Sequence, residues 1–272
     1  MNRISRRTVA QGAAGIGAGA LAAGHIARVA AQEATPAAEV ASPVVDSQAL
    51  GYASLRVRQL AEAGFRAEVN TNVIENFVQV VQLVDGYAGY LLGDVIEDET
   101  QSLAIVMLDE MSQVDRFNSA AGSFVGRLDP KYAVETPTTA EGDILVVGAP
   151  VGGEASPVVA TPVTGGGSAG YVAARIYESL PGTDPREFAP QVQSGFLPIV
   201  QGLPGFQGYF FFPSEGGFTS VSLFDSEAAA QESTEAGTAW AAENLSAYTS
   251  GDPQVINAAV VFSDLPILLA RV

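Results

Sequence analysis

Three pairs of side chains recur 119 residues apart: Tyr52 with Tyr171, Arg56 with Arg175, and Tyr90 with Tyr209. These residue types suit an oxygen that carries or gains negative charge. A guanidinium brings a permanent cation and a fork of donors, and a phenol brings one donor on an apolar ring. No nucleophile–base set accompanies them. The chain has no cysteine and a single histidine, His25. Triads of serine or cysteine with histidine are therefore excluded, as are zinc sites of the usual ligands and haem held by His or Cys. We assign no catalytic residue, no metal site and no cofactor from the sequence.

The pairs belong to a longer repeat. At the same offset Gly51 matches Gly170, Val73 and Phe77 match Val192 and Phe196, and Gly86-x-x-Gly89 matches Gly205-x-x-Gly208. Three residues are then lost from a loop of the second copy. At an offset of 116, Asp109 matches Asp225, Phe124 matches Trp240, Tyr132 matches Tyr248 and Pro137 matches Pro253. Chance does not hold a register across such a span with one gap, so the body is a tandem duplication, 51–148 and 170–264.

Each copy reads as strand, helix, strand, strand, helix, strand. Tyr52–Arg58 alternates polar and apolar residues at the two-residue period of a strand. Val73, Phe77, Val80, Val81 and Val84 fall at helical spacing, stopped by Gly86. Tyr87–Gly93 and Leu103–Leu108 are apolar strands around the acidic loop Asp94–Ser102. Val114, Phe117, Ala121, Phe124 and Leu128 form a second helical stripe, with Ser112 and Asp115 as its expected capping box. Ile144–Val147 closes the first copy and Val260–Phe262 the second. Asp184-Pro185-Arg186-Glu187 starts a helix in copy two, which Pro198 should kink.

Two βαββαβ units resemble ferredoxin-like modules. The strings Gly195-Phe196-x-Pro198-Ile199-Val200 and Leu203-Pro204-Gly205-Phe206-x-Gly208-Tyr209 resemble the dimeric α/β-barrel superfamily, and within it the antibiotic-biosynthesis-monooxygenase-like (ABM-like) domains. The resemblance implies an α+β fold in which the two repeats form an intramolecular α/β barrel, with no second chain needed. It also implies either a binding protein for a small apolar or aromatic ligand, or a cofactor-independent monooxygenase or isomerase acting on an aromatic or quinone-type compound. The haem branches of the superfamily use histidine ligands and do not carry over.

On the first strands, Leu55, Val57, Ala174 and Ile176 are expected under the helices. The opposite parity then carries Tyr52, Ser54, Arg56 and Arg58, and Tyr171, Ala173, Arg175 and Tyr177, into the barrel lumen. There Tyr52, Arg56, Tyr90, Tyr171, Arg175 and Tyr209 would line a ligand site. The plainer reading pairs each arginine with a carboxylate such as Glu178 or Asp225. Trp240, opposite Phe124 in the repeat, reads as packing. The acidic run Asp94, Glu97, Asp98 and Glu99 matches no calcium loop and reads as a solvated hairpin.

The ends carry addresses and linkers. Residues 1–31 hold Arg3, Arg6, Arg7 and Arg28 and no acid, and Ser5-Arg6-Arg7-Thr8-Val9 resembles the twin-arginine export motif. The Gly-broken stretch behind it is too weakly apolar to span a membrane, and cleavage is expected after Ala31. The mature chain, exported to the cell envelope or beyond in a bacterial-type cell, then keeps nine basic residues against 30 acidic ones, a formal −21. Such a body repels phosphate backbones and anionic lipid, so nucleic acid is not an expected partner. Residues 32–50 and 149–169, rich in Ala, Pro, Gly, Ser and Thr, read as linkers, and 265–272 as a tail. The second linker is long enough to let the copies pair in cis, which predicts a monomer.

Overall fold

The computed structural model describes residues 50–150 and 170–265. The export segment with Arg6, Arg7 and Ala31, nearly all of both linkers and residues 266–272 lie outside the described residues. The first repeat comprises β1 (Tyr52–Gln59), α1 (Arg66–Asn72), α2 (Val78–Val81), β2 (Tyr87–Val95), β3 (Gln101–Leu108), α3 (Val114–Val125), β4 (Glu135–Asp143) and β5 (Val146–Gly148). The second comprises β6 (Tyr171–Glu178), α4 (Ala189–Gln191), α5 (Leu197–Gln201), β7 (Phe206–Ser214), β8 (Gly217–Phe224), α6 (Glu227–Asn244) and β9 (Gln254–Ser263). No helix among the described residues is long and apolar enough to cross a membrane.

The hydrogen bonds repeat at the offsets of the sequence. β1 pairs with β3 through Arg56 opposite Ala104, and β6 with β8 through Arg175 opposite Ser220. Asp109 N–H donates to Gly86 O, and Asp225 N–H to Gly205 O. Both of these glycines have positive φ, 76° and 70°, a left-handed conformation that turns the chain into the next strand and suits a residue without a side chain. The first helix of each repeat contains a π turn at the same place, Val73–Phe77 and Val192–Phe196. Pro198 follows the second of these, but Gln79 holds the matching place in repeat 1. The irregularity therefore belongs to the fold and not to the proline.

The sheet closes on itself. Its antiparallel order is β4-β1-β3-β2-β9-β6-β8-β7-β5. β9 pairs with β6 over its first part and with β2 over its last. β4 pairs with β1 and β5 with β7, and only Ile144 and Leu145 separate them. Ile144 N–H donates to Gly51 O, and Leu145 N–H to Phe211 O. The final strand of each repeat thus crosses from its own sheet to the other and joins the two sheets at both seams. These closing strands start well before Ile144 and Val260. Glu135–Asp143 has too few apolar residues to read as a strand, and only its pairing with β1 makes it one.

Three further details differ from the sequence reading. The capping box ahead of α3 is made by Glu110 and Gln113, while Ser112 donates to Glu110 (2.7 Å). Asp184 caps a single 3-10 turn, Pro185–Glu187, ahead of α4. Leu265, expected in the tail, is buried in the barrel. Just before it, Asp264 accepts from Tyr87 Oη, Gln82 Nε2 and Tyr90 N, tying the end of repeat 2 to repeat 1.

The lumen is filled with apolar side chains from both repeats, among them Leu55, Leu91, Ile105, Phe210, Phe212 and Ile256. The other face of the sheet is covered by α1–α3 in repeat 1 and by α4–α6 in repeat 2. This reverses the expected parity: Leu55, Val57 and Ala174 point inward, and Arg56, Arg58 and Arg175 lie beneath the helices. A barrel of about this size, with β4 and β5 as successive halves of one interrupted strand, holds little besides its own side chains. A guanidinium there would meet mostly hydrocarbon, whereas the helix layer offers hydroxyls and a carbonyl.

Candidate functional site in the sheet–helix layer of repeat 2

β6 carries Arg175 into the middle of this layer, where it is fully buried. Its Nη1 donates to the carbonyl (3.0 Å) and hydroxyl (3.1 Å) of Ser233 on α6. Nη2 donates to Ser222 Oγ (2.6 Å), and Nε to Ser220 Oγ (3.2 Å). The guanidinium carbon lies 5.5 Å from the ring centre of Phe196. No carboxylate pairs with it among the described residues, so neither Glu178 nor Asp225 serves as the expected partner. Burial holds its pKa below the ordinary value, against the pull of Tyr177 and Tyr209. A buried cation held only by neutral acceptors is costly and calls for negative charge nearby.

The serine oxygens accept from the arginine, so their own O–H groups point elsewhere. Ser220 and Tyr209 both face a small cavity of about 20 Å³, walled by Phe196, Phe218, Trp240 and Leu245. That volume is close to the space one water molecule requires. The Tyr209 hydroxyl is wholly buried and makes no well-formed hydrogen bond. Burial raises its pKa, with Arg175 and then Ser220 pulling the other way. Two hydroxyl donors converge on an apolar space beside a buried cation, an arrangement that stabilises an oxygen developing negative charge.

Gly237 and Trp240 shape the space. A Cβ at Gly237 would stand 3.1 Å from both Arg175 Nε and Phe196 Cζ, so the residue keeps α6 close to the guanidinium. Trp240 is half-buried, with its ring centre 5.6 Å from that of Phe196, and forms the outer wall. The packing role read from the sequence is present, but the indole also closes the cavity.

Repeat 1 has the same frame with other contents. Ser220, Ser222, Ser233 and Gly237 correspond to Ala104, Val106, Phe117 and Ala121, all buried in its core. Phe117 fills the place of Ser233, and Arg56 is displaced toward the rim. There it lies 5.3 Å over Phe117, donates to Asn118 Oδ1 (2.5 Å) and stands 3.9 Å from Glu141. Arg56 thus has a carboxylate neighbour, though not either of those expected. Tyr52 is buried beneath the helices, and burial with Glu141 and Asp143 nearby raises its pKa to about 12. Tyr171 packs at the edge of the repeat 2 layer. Of the six residues read from the sequence, only Tyr209 lines the cavity, and Arg175 reaches it through its hydrogen bond to Ser220. Sequence reasoning missed Ser220, Ser222, Ser233 and Gly237, although the repeat offset sets them against apolar counterparts.

In the hairpin of repeat 1, Asp94 pairs with Arg66 (3.3 Å) and accepts from Asn70, Glu97 accepts from Asn257, and Asp98 accepts from Thr100. Among the described residues no cluster of His, Cys, Asp or Glu could hold a metal ion. The repeat 2 layer suits no haem: its cavity is far too small and neither repeat has a His or Cys ligand.

The chain has the α+β barrel fold of the dimeric α/β-barrel proteins, with both ferredoxin-like units on one chain, and resembles the ABM-like domains. A candidate monooxygenase from Fusobacterium nucleatum subsp. nucleatum is similar over 79% of this chain and 94% of its own, with a TM-score of 0.57 at 8% identity. An anthrone oxidase-like protein is similar over 80% and 94%, with a TM-score of 0.56 at 16% identity. A candidate monooxygenase from Lactobacillus acidophilus is similar over 78% and 95%, with a TM-score of 0.52 at 12% identity. No protein-family model and no curated protein matches the sequence.

Proposed function

We propose that the protein is an exported, monomeric barrel that binds a small aromatic or apolar ligand bearing one polar oxygen, in the sheet–helix layer of repeat 2. The observation that carries this reading is the buried guanidinium of Arg175, without a carboxylate among the described residues and near the buried Tyr209 hydroxyl, whose own proton has no well-formed acceptor. The ligand oxygen would take hydrogen bonds from Tyr209 and Ser220, with Arg175 supplying charge. The aromatic walls would take its ring. Since ligand pockets usually span about 300–1,000 Å³, entry requires Trp240 to swing off Phe196. Monomeric state is supported by closure of the sheet within one chain, and export by the amino-terminal pattern alone.

A second reading is a cofactor-independent monooxygenase acting on an aromatic or quinone-type compound. It is favoured by the likeness to an anthrone oxidase-like protein and by the donors able to steady a phenolate or enolate oxygen. One titration series tests both readings. Trp240 is the sole tryptophan, so its emission reports this site directly. Titrating the protein with 1-naphthol, menadione and anthrone should quench it saturably, and the effect should vanish in Arg175→Met but persist in Arg56→Met. Oxygen uptake with anthrone would select the oxygenase reading. Absence of quenching by all three, together with bare polypeptide in native mass spectrometry of protein from its own host, would overturn the binding reading.

A further inference from the structure

We propose that the sheet–helix layer of repeat 1 is a separate binding site for a small monoanion, a halide or a carboxylate, held by Arg56, Arg58 and Tyr90. β1 places the two arginines two residues apart on the face beneath the helices. Arg58 is 4% exposed, and its guanidinium lies 6.0 Å over the ring of Phe77. No carboxylate stands within salt-bridge distance of it among the described residues. Arg56 has only Glu141, at 3.9 Å, and that carboxylate also accepts from Ser54 (3.1 Å). One buried and one part-buried cation therefore face a single distant, part-exposed carboxylate, and Asp143 nearby is engaged by Arg186 (3.2 Å).

Donors without acceptors point to the same place. Arg56 Nε is buried and unpartnered, and the buried Tyr90 hydroxyl, toward which Arg58 donates, has no acceptor for its own proton. Burial raises the pKa of Tyr90, and the guanidiniums of Arg58 and Arg56 both pull against it, so all three groups are neighbours. An anion would accept from them and offset the mutual repulsion of the arginines, which a water molecule cannot do. Access lies at the rim, where the side chains of Arg56 and Glu141 are 17% and 36% exposed. Repeat 2 lacks this arrangement because Tyr177 occupies the position of Arg58. The duplication thus gives one copy a neutral aromatic cavity beside one cation, and the other a pair of cations.

The test uses bromide on the full chain, with isethionate holding ionic strength constant. We expect the melting temperature to rise saturably with bromide, and crystals grown in bromide to show an anomalous peak within about 4 Å of a guanidinium nitrogen. Arg58→Met should weaken the apparent affinity about tenfold or more, and Tyr90→Phe by a smaller factor. Trp240 emission, which reports repeat 2, should not change. A bromide-independent melting temperature with no such peak would overturn the proposal, as would an unaltered bromide response in Arg58→Met. Should that variant fail to fold, wild-type affinity in Tyr90→Phe has the same force.

Discussion

Converting the arginine cradle of repeat 2 to the contents of repeat 1 separates stability from ligand binding. The variant is Arg175→Met with Ser220→Ala and Ser222→Val, the latter two being the residue types at Ala104 and Val106. Removing the guanidinium ends the burial of a charge with no counter-ion, whose cost is several kcal/mol. Four hydrogen bonds disappear, but two of the serine hydroxyls go with them. Only the Ser233 hydroxyl and carbonyl lose a partner, at about 1–3 kcal/mol together. The added apolar groups contribute about 0.8 kcal/mol for each buried methylene equivalent. The balance favours the variant by about 1–3 kcal/mol, which for a domain of this size raises the melting temperature by about 2–4 °C per kcal/mol. Arg175→Met alone leaves three hydroxyls unpaired and should lie near neutrality. Scanning calorimetry supplies the measurement, and Trp240 quenching by 1-naphthol should be lost in both variants. A triple variant that melts well below the wild type would show the guanidinium to be structural and refute this reasoning.

In the lumen, Phe212→Ala should cost about 3–5 kcal/mol by chemical denaturation, because a closed barrel cannot collapse around the void; a cost under 1 kcal/mol would contradict a packed interior. Residues 51–148 expressed alone should not form a stable monomer, since β2 and β5 lose their partners in β9 and β7; a folded monomer by light scattering would contradict the closure described above. Alkaline stability follows from the tyrosines. Tyr52 is raised to about 12 from 10.0, and Tyr87, Tyr90, Tyr177 and Tyr209 are also raised, each chiefly by burial. The folded state then holds protons that the unfolded chain releases near pH 10. Stability from these groups is complete below that pH and is lost as pH climbs toward 12 and beyond. Absorbance at 295 nm should show these phenols ionising only together with unfolding, and free titration in the folded protein near pH 10 would contradict their burial.

The sequence alone was sufficient for the duplication, the order of elements and the missing catalytic inventory, because each is written locally. Offsets of 119 and 116 need only a register, helical and strand periods only a window, and the absence of histidine from both repeats only a count. It also gave Arg175 and Tyr209 among its six candidate site residues. It could not say which face of the sheet they occupy. Strands such as β3 are buried on both sides and almost uniformly apolar, so alternation loses its polar reference, and a shift of one residue exchanges lumen and helix layer. Tertiary structure decided that question through acceptors: α6 brings the carbonyl and hydroxyl of Ser233 to Arg175, while the lumen is packed almost entirely with apolar side chains. It also decided which copy keeps a cavity. Ser220, Ser233 and Gly237 are unremarkable in the chain and gain meaning only where β6, β8 and α6 converge around one guanidinium. In repeat 1 the same convergence is filled by Phe117, and packing volume, which no local pattern records, separates the two.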